Sequence, residues 1–289
     1  MEKILVTGAF GQLGTELRLL SAERSDFIFT DIREDDGVMA LDICDAGAVE
    51  SFIAGRGIGT IINCAAYTDV NKAESEEALC NAINAIGPAN LARSARRHGA
   101  ALVHISTEYV FDGKRRSGGY SESDRRHPLS AYGRSKRNGE DLVRKSGCRG
   151  LILRTSWLYS PFGKNFVKTM LKLGAEKPEV GVVCDQIGSP TYARDLAEAI
   201  LAMTGHIGNG KCETYHFTNG GTCSWAEFAA AIMRNAGLPC KVRPISTADY
   251  PSPAVRPACS ILDKSKIRKD FGIEIKPWEQ SLKDCLKRL

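Results

Sequence analysis

The sequence predicts an α/β protein whose helices cover both faces of a doubly wound parallel sheet, with a smaller lobe toward the C-terminus. Two observations support this prediction. Short apolar runs alternate with longer helical stretches through the first half of the chain, an order that builds parallel sheets with right-handed crossovers. The apolar runs are continuous rather than alternating, which indicates strands that are buried on both faces.

Six apolar runs are predicted as strands, at residues 3–8, 26–31, 59–66, 100–107, 150–157 and 179–185. Helical patterns cover residues 11–23, 88–99 and 129–147. Pro88 near the start of the second pattern and Gly99 at its end stand where these residues favour helix termini. Strands and helices therefore alternate over the first half of the chain.

A glycine-rich turn joins the first predicted strand to the first predicted helix, in the stretch TGAFGQLG. Gly8 suits a tight turn, Gly11 lets a pyrophosphate approach the backbone, and Gly14 lets the helix pack close to the sheet. The N-terminus of the helix then offers free N–H groups and a favourable dipole to the phosphates. This motif in this context is typical of a Rossmann sheet that binds a dinucleotide.

The pattern loosens after about residue 157, where short strands such as that at 214–219 are mixed with helices. We expect residues 1–157 to form a dinucleotide-binding domain that is completed by about 179–203. Residues 158–289 are expected to form mostly a smaller substrate-binding lobe.

The second predicted strand ends at Asp31, and Arg33 follows two residues later. A carboxylate at this position can accept hydrogen bonds from the adenosine ribose of NAD, whereas an arginine can bind the 2′-phosphate of NADP. The sequence therefore leaves both NADH and NADPH open as the cofactor.

Tyr132 and Lys136 stand four residues apart in the helical stretch SAYGRSK, so they project from one face of the helix. A nearby ammonium favours the phenolate and lowers the tyrosine pKa towards neutrality. Such a tyrosine can donate a proton to a carbonyl oxygen near physiological pH. Ser106 and Thr107 end the fourth predicted strand, at the sheet edge where α/β proteins bind ligands, and can hold the reacting oxygen against the tyrosine.

Composition argues against several other classes of protein. The net charge is only +5, from 39 basic and 34 acidic residues, and the basic residues do not concentrate along one element as in nucleic-acid binders. The 10 cysteines include no C-x-x-C pair, so a cysteine-based metal site is not expected.

No apolar run approaches the ~20 residues that span a membrane. The chain opens with a strand pattern rather than a signal peptide, so we expect a cytoplasmic protein.

Seven segments along nearly the whole chain carry a family resemblance. They are TGAFGQLGTEL, NCAAYTDVNKAE, HISTEYVFDG, AYGRSKRNGE, LRTSWLY, DQIGSPTYARDLA and RPACSILD. They resemble the extended short-chain dehydrogenases/reductases and, more narrowly, the dTDP-4-dehydrorhamnose reductases. The resemblance implies that NADPH or NADH reduces the C4 keto group of a nucleotide-linked deoxysugar, converting dTDP-4-dehydro-L-rhamnose to dTDP-L-rhamnose for cell-surface polysaccharide synthesis.

The resemblance also implies a role for each matching residue. Tyr132 would donate the proton, Lys136 would tune it and bind the nicotinamide ribose, and Thr107 would bond the C4 oxygen of the sugar. The residues implied to line the cofactor are Gly8, Phe10, Gly11, Gln12, Leu13, Asp42, Ile43, Ala65, Ala66, Tyr67, Asn84, Tyr132 and Lys136. The residues implied to meet the substrate are Thr107, Glu108, Tyr132, Trp157 and Arg256.

The chain departs from the family pattern at two places. Glu108 replaces the aspartate that usually follows the catalytic threonine. Some family members dimerise through Mg²⁺ held by glutamates; Glu16 matches the first of these, but Arg194 aligns with the second and cannot bind a cation. We therefore expect no metal site, with Mg²⁺ at Glu16 as the alternative.

The chain is expected to be a monomer or a homodimer that binds neither nucleic acid nor membranes.

Two alternative functions keep the same fold. A nucleotide-sugar epimerase or 4,6-dehydratase would reuse a retained NAD⁺, and dehydratases of this kind use an acid pair after the threonine, whereas Tyr109 follows Glu108 here. A non-catalytic, cofactor-binding regulatory subunit would have no need of Tyr132 and Lys136, which are both present.

Overall fold

The computed structural model describes residues 2–115, 117–208 and 210–289. Within these residues the chain forms thirteen strands, which are β1 (Lys3–Thr7), β2 (Phe27–Asp31), β3 (Val38–Ala40), β4 (Ile58–Asn63), β5 (Ala101–Thr107), β6 (Gly150–Thr155), β7 (Leu158–Tyr159), β8 (Glu179–Val183), β9 (Ile187–Gly188), β10 (Thr191–Tyr192), β11 (Glu213–His216), β12 (Cys223–Ser224) and β13 (Lys241–Ile245).

The same residues form ten α-helices, which are α1 (Gln12–Leu20), α2 (Ala46–Ile53), α3 (Glu77–Asn81), α4 (Gly87–His98), α5 (Ala131–Ser146), α6 (Phe166–Glu176), α7 (Ala193–Thr204), α8 (Trp225–Asn235), α9 (Ser265–Phe271) and α10 (Trp278–Leu286). Short 3₁₀ helices cover Lys72–Glu74, Glu108–Val110 and Thr247–Asp249, and a π-helical turn covers Ala82–Ile86. None of the helices in the described part of the chain combines the length and the apolar character needed to cross a membrane.

Seven strands form one central sheet in the order β11-β6-β5-β4-β1-β2-β3. Every neighbouring pair in this sheet is parallel. This topology confirms the predicted doubly wound α/β fold. The order of the strands reverses between β1 and β4, so the carboxyl ends of these two strands flank a crevice of the kind that binds ligands.

Neighbouring residues of the central strands pack into two separate cores, one on each face of the sheet. Leu5, Ile61 and Leu102 join residues of α2, α4 and α5. Val6 and Val103 join residues of α1 and α7 on the opposite face. Because successive side chains of a strand point to opposite faces, one continuous apolar run supplies both cores.

The prediction that residues 179–185 supply a sixth strand of this sheet is wrong. β8 pairs instead with β13 in a separate two-stranded sheet. Val180 and Val182 pack into a third core with residues of α6 and α8, while Gly181 between them is exposed, so this run has only one fully covered face. The central sheet is extended instead by β3 and by β11, which lies beside β6.

Elements from the second half of the chain contribute to the central layers. Leu196 and Ile200 of α7 pack with Leu13 and Leu17 of α1 on one face of the sheet. β11 forms an edge strand of the same sheet. The division of the chain near residue 157 stays a prediction, and these contacts cross it.

A buried ion pair joins α5 to β6 of the central sheet. Arg154 of β6 donates two hydrogen bonds of 2.7 Å to Glu140 of α5, and both side chains are buried. Ser106 of β5 donates to the same carboxylate at 2.7 Å, and Arg126 and Arg144 approach it at 3.1 and 3.2 Å. Burial acts to raise the pKa of Glu140, but the arginines, Arg154 above all, hold it at about 2. The carboxylate is therefore charged at physiological pH.

We expect Glu140→Ala to lower the free energy of unfolding by about 3–5 kcal/mol, because it leaves the buried Arg154 guanidinium without its counter-charge. Asp141→Ala is the matched control. The Asp141 side chain is 35% exposed and pairs with Arg126 at 2.6 Å, so its loss is expected to cost less than about 1 kcal/mol. Urea denaturation followed by circular dichroism measures both variants, and equal losses would contradict this account.

Candidate active site

A cleft of about 430 Å³ opens at the carboxyl ends of β1, β4, β5 and β6. Its walls include the glycine turn, the loop after β4, the end of β5, the start of α5 and the segment after β6. The predicted site residues that line it are Gly11, Gln12, Leu13, Ala66, Thr107, Glu108, Tyr132, Lys136 and Trp157. The fold thus brings residues predicted for the cofactor, for catalysis and for the substrate into one cleft.

The glycine turn has the shape that a pyrophosphate requires. Gly8 adopts a φ of 72°, and a Cβ on it would lie 2.5 Å from the backbone nitrogen of Ala65. A Cβ on Gly14 would lie 2.2 Å from the Gly8 carbonyl oxygen, so neither position accepts a side chain. Gly11 is the N-cap of α1 and has no side chain to cap the first turn. The N–H groups of that turn are therefore available to an anion.

Asp31 and Arg33 lie beside Phe10 of the glycine turn. The Asp31 carboxylate accepts the N–H groups of Phe10 at 2.9 Å and of Ile32 at 2.8 Å. The exposed Arg33 guanidinium lies 5.0 Å from the centre of the Phe10 ring, and that of Arg18 lies 5.7 Å from it. Two guanidiniums therefore flank the position after β2, which favours a 2′-phosphate. No sequence motif marks Arg18, so its place beside Phe10 could not be predicted from the sequence.

Asp42 and Ile43, the two residues predicted to flank the adenine, lie outside the main cleft. Ile43 is buried and packs against Gly87, where a Cβ would lie 2.5 Å from its side chain. Asp42 is exposed and accepts the Cys44 N–H at 2.8 Å. It lines a separate groove of about 340 Å³ together with Ile32, which follows β2. An adenine ring in this groove stays a prediction.

The loop after β4 is shaped by Asn84. Ala65 lies against Gly8, and Ala66 lines the cleft. Asn84 accepts the N–H of Tyr67 at 2.9 Å and donates to the carbonyl of the same residue at 3.0 Å. It is fully buried in the π-helical turn, an irregularity that often occurs at functional sites. Asn84 therefore shapes the predicted cofactor wall through the backbone of Tyr67.

Tyr132 and Lys136 line the cleft from the first turns of α5. Ser130 caps this helix through its side chain, which places the tyrosine in the first turn. Lys136 is buried, and its Nζ donates to the Ile105 carbonyl at 2.6 Å. The Tyr132 ring meets the Tyr109 ring edge-on, with 5.4 Å between the ring centres.

The protonation of this pair differs from the sequence-based expectation. Burial raises the pKa of Tyr132, and the nearby Glu108 carboxylate raises it further. Burial lowers the pKa of Lys136 to about 8, and its ammonium is directed at the Ile105 carbonyl. Lys136 therefore does not bring the pKa of Tyr132 down to neutrality in this structure. The phenol is protonated, which is the state that a proton donor needs.

Thr107 holds a carboxyl group beside the phenol. Its Oγ1 donates to Glu108 Oε2 at 2.6 Å and accepts the Tyr109 N–H at 3.2 Å. The Thr107 hydroxyl acts to lower the pKa of Tyr132, against the larger effect of burial. Glu108 is only 4% exposed, and burial raises its pKa to about 7. A carboxyl group that titrates near neutral pH therefore lines the same cleft as the phenol.

Arg256 connects the segment before α9 to the loop after β4. Its guanidinium donates to the Tyr109 hydroxyl at 3.4 Å and to Asn71 Oδ1 at 3.5 Å. Ser252 donates to the same Asn71 oxygen at 2.9 Å. The positive charge of Arg256 acts to lower the pKa of Glu108. Arg256 does not itself line the cleft, but it contacts Tyr109, which does, and its contact with a substrate stays a prediction. Asn71 lies in the segment NCAAYTDVNKAE but was not predicted as a site residue.

Trp157 lines the cleft in a left-handed backbone conformation with a φ of 48°. Its indole stacks on Trp225 with 3.6 Å between the ring centres. A Cβ on Gly188 would lie 2.6 Å from the same indole. Because a non-glycine residue in this conformation costs about 1–3 kcal/mol, the surrounding packing must hold it. Trp225 and Gly188 therefore position Trp157; Gly188 lies in the segment DQIGSPTYARDLA, whereas no motif marks Trp225.

Comparison with known proteins identifies the family. The family model described as RmlD substrate binding domain matches residues 1–289. The chain belongs to this family. A dTDP-4-dehydrorhamnose reductase of Aggregatibacter actinomycetemcomitans is 43% identical, with 98% of each chain covered. These matches confirm the resemblance drawn from the seven sequence segments.

Solved structures of RmlD-type reductases share the whole fold. The dTDP-4-dehydrorhamnose reductase of Clostridium acetobutylicum superposes with a TM-score of 0.92 at 41% identity, covering 99% of both chains. The enzyme of Bacillus anthracis, solved in complex with NADP, gives a TM-score of 0.93 at 40% identity, covering 100% of this chain and 99% of that chain.

The residues around Glu16 do not fit the Mg²⁺ that the resemblance raised as an alternative. Glu16 is fully buried, and its Oε1 accepts a hydrogen bond from Arg288 at 2.7 Å. Its Oε2 lies 3.7 Å from the Arg194 guanidinium. Two positive charges therefore stand where a cation would have to bind. The described residues contain no group of three side chains able to hold a metal ion.

We expect Arg33→Ala to raise the KM for NADPH about tenfold and to leave the KM for NADH within about twofold, because a lost charge-assisted contact to the 2′-phosphate costs about 1.4 kcal/mol. Arg18→Ala is expected to act in the same direction. Arg24→Ala is the matched control, since Arg24 pairs with Asp26 before the start of β2. Initial rates with each cofactor measure the effect. An equal rise in both KM values would show that Arg33 does not recognise the phosphate.

We expect treatment with EDTA, and then with MgCl₂, to change neither the sedimentation coefficient nor the reaction rate. The reason is that Arg288 and Arg194 already neutralise the Glu16 carboxylate. Analytical ultracentrifugation measures the first quantity and initial rates measure the second. A larger sedimentation coefficient that appears only with Mg²⁺ would contradict this assignment.

Proposed function

We propose that this chain reduces the C4 keto group of dTDP-4-dehydro-L-rhamnose to give dTDP-L-rhamnose, with NADPH or NADH as the reductant. The observation that carries this function is the single cleft in which the phosphate-binding turn, Tyr132, Lys136 and Thr107 meet. Similarity over the full length to dTDP-4-dehydrorhamnose reductases supports the substrate. The complex of the Bacillus anthracis enzyme with NADP supports the cofactor.

The residues proposed to bind the cofactor would each meet a different part of a dinucleotide. The first turn of α1 would bind the pyrophosphate, and Asp31 with Arg33 would bind the adenosine ribose. Lys136, whose ammonium lies at the cleft wall, would bind a ribose hydroxyl at the nicotinamide end. A reduced nicotinamide bound there would supply the hydride to C4.

Tyr132 and Thr107 would act on the C4 oxygen. The phenol gives its proton to this oxygen as negative charge develops on it, and burial supports that role because it keeps the phenol protonated beforehand. The Thr107 hydroxyl holds the same oxygen in place. One such donor aimed at a developing oxyanion is worth about 2.7–4 kcal/mol in the transition state. Trp157 would pack against the sugar, and Arg256 would approach the nucleotide diphosphate.

The residue after Glu108 argues against the dehydratase alternative. Elimination of water by related dehydratases uses two acids in succession, whereas this chain has Glu108 followed by Tyr109. Tyr109 contacts Arg256 and the ring of Tyr132, so it contributes to the walls rather than to acid–base chemistry. Reduction needs one proton donor, and the cleft contains it in Tyr132.

We also propose a cytoplasmic location and a monomer or homodimer. All ten cysteines lie in the described part of the chain, and they are free thiols, as is usual in a reducing compartment. The reaction consumes a reduced nicotinamide, which the cytoplasm supplies.

Residues 158–289 would contribute mostly to the part of the cleft that binds the substrate, through residues such as Arg256.

We expect Tyr132→Phe to lower kcat/KM for dTDP-4-dehydro-L-rhamnose by about 10²–10⁴-fold, because the general acid is lost. Binding of NADPH, measured by fluorescence titration, should stay within about threefold, since a phenyl ring keeps the shape of the wall. Loss of the absorbance of the reduced nicotinamide measures the rate.

Tyr120→Phe is the matched control, because Tyr120 is buried in a separate cluster with Phe111 and Leu262. It should retain the rate of the unmodified protein. Catalytic turnover of a 4-keto sugar nucleotide without any external reductant would reject the proposed reduction.

A further inference from the structure

We propose that residues 160–165 form a second wall of the cofactor's pyrophosphate site, in which Lys164 supplies a positive charge and Asn165 holds the segment against Gln12. The inference rests on the proposed function, because it concerns the dinucleotide that the reduction consumes. The segment lies outside the glycine turn and outside the seven segments that carry the family resemblance.

The segment is fixed to the glycine turn through the side chain of Gln12. Gln12 Oε1 accepts hydrogen bonds from the Ser160 hydroxyl at 3.2 Å and from Asn165 Nδ2 at 3.0 Å. A Cβ on Gly163 would lie 3.2 Å from Gln12 Cγ, so the backbone of the segment also lies close to this side chain. These contacts hold residues 160–165 at the N-terminus of α1.

The orientation of the Asn165 amide is set by α6. Asn165 is the N-cap of this helix, and its Oδ1 accepts the Lys168 N–H at 3.1 Å. Its Nδ2 is therefore the group that faces Gln12, and it also donates to the carbonyls of Ser160 at 2.8 Å and Phe162 at 3.2 Å. Gln12 must in turn present its oxygen to Asn165. The Nε2 of Gln12, which lines the cleft, is left without an acceptor among the described residues and can donate to a phosphate oxygen.

Lys164 brings a positive charge to the cleft. The charged residues that line the cleft are Glu108, Lys136 and Lys164. Lys136 is buried and donates to the Ile105 carbonyl at 2.6 Å. Lys164 is exposed, and its ammonium has neither a hydrogen bond nor an ion pair with any residue that the structure describes. Its charge is therefore free to meet an anion.

The position of Lys164 is unfavourable for the helix that follows it. Lys164 directly precedes the N-cap of α6, and the first turn of that helix has no acidic residue. The N-terminus of a helix carries a partial positive charge, so a cation there is destabilising unless an anion lies nearby. A bound pyrophosphate would supply that anion. Ligand binding therefore explains a lysine at this position better than the stability of the fold does.

The pyrophosphate of the cofactor is the anion that this segment fits. Gly163 and Lys164 line the same cleft as Gly11 and Gln12, and Gly11 begins the turn whose free N–H groups would bind the pyrophosphate. Within the described residues, the hydrogen bonds from the segment to other walls of the cleft go to Gln12. The nucleotide sugar also carries a diphosphate, and direct binding measurements separate the two ligands.

The test of Lys164 is the binding of NADPH, NADH and adenosine 2′-monophosphate, measured by isothermal titration calorimetry. Both dinucleotides contain the pyrophosphate, whereas the monophosphate does not. We expect Lys164→Ala to raise the Kd for NADPH and for NADH about tenfold, because a charge-assisted contact is lost, and to leave the Kd for the monophosphate within about twofold. Lys164→Arg keeps the charge and should bind each ligand within about threefold of the unmodified protein.

Lys172→Ala is the matched control, because Lys172 is an exposed lysine of α6 that does not line the cleft. It should bind all the ligands as the unmodified protein does. Raising NaCl from about 50 mM to about 500 mM should weaken NADPH binding less in Lys164→Ala than in the unmodified protein, since salt screens the charge that this variant lacks.

Asn165→Ser tests the hold on the segment. Serine can still cap α6, but it has no amide to donate to Gln12. We expect the helix content, measured by circular dichroism, to be unchanged and the Kd for both dinucleotides to rise about threefold or more, because the segment loses hydrogen bonds that hold it in place.

Unchanged dinucleotide binding in Lys164→Ala would overturn the proposal, as would an equal loss of monophosphate binding. A higher KM for the 4-keto sugar nucleotide with unchanged Kd values for both dinucleotides would assign Lys164 to the substrate and would also overturn it. The titrations need no turnover, so failure of the unmodified protein to reduce the 4-keto sugar would reject the proposed reaction only.

Discussion

The buried ion pair between Glu140 and Arg154 is the interaction on which the geometry of the site depends. Glu140 lies one turn after Lys136 and about two turns after Tyr132 on α5, so a fixed carboxylate fixes the helix face that all three share. The hydrogen bond from Ser106 ties the same helix to β5, one residue before Thr107. The relative positions of phenol, ammonium and threonine hydroxyl are therefore set by one charged group in the core.

Burial away from water determines the pKa values of the side chains in the site. Burial raises the pKa of Tyr132, raises that of Glu108 to about 7 and lowers that of Lys136 to about 8. Burial is the largest cause of all three shifts, because a charge is less stable away from water. Reduction of a carbonyl needs a donor that starts protonated, whereas oxidation of an alcohol needs a phenolate. Tyr132 therefore begins in the protonation state that reduction needs.

Features that depend on a few consecutive residues could be predicted from the sequence. The glycine turn, the strand ends and the spacing of Tyr132 and Lys136 are local, and periodicity determines their geometry. Contacts between distant segments could not be predicted, as the stacking of Trp225 on Trp157 and the approach of Arg18 to Phe10 show. β8 was misplaced because an apolar run does not reveal whether both of its faces are covered. The pKa of Tyr132 depends on burial that spacing alone does not report.

The two walls of the cleft are tied together by polar contacts between distant parts of the chain. Gln12 at the start of α1 accepts hydrogen bonds from Ser160 at 3.2 Å and from Asn165 at 3.0 Å, so the segment after β6 is held against the glycine turn. One turn further along the same face of α1, Arg288 donates to Glu16 at 2.7 Å. Hydride transfer requires the donor and acceptor carbons to be held near contact distance. Contacts that join α1 to residues after 157 hold the cofactor wall and the substrate wall at a fixed separation, and this is the property that such a transfer needs.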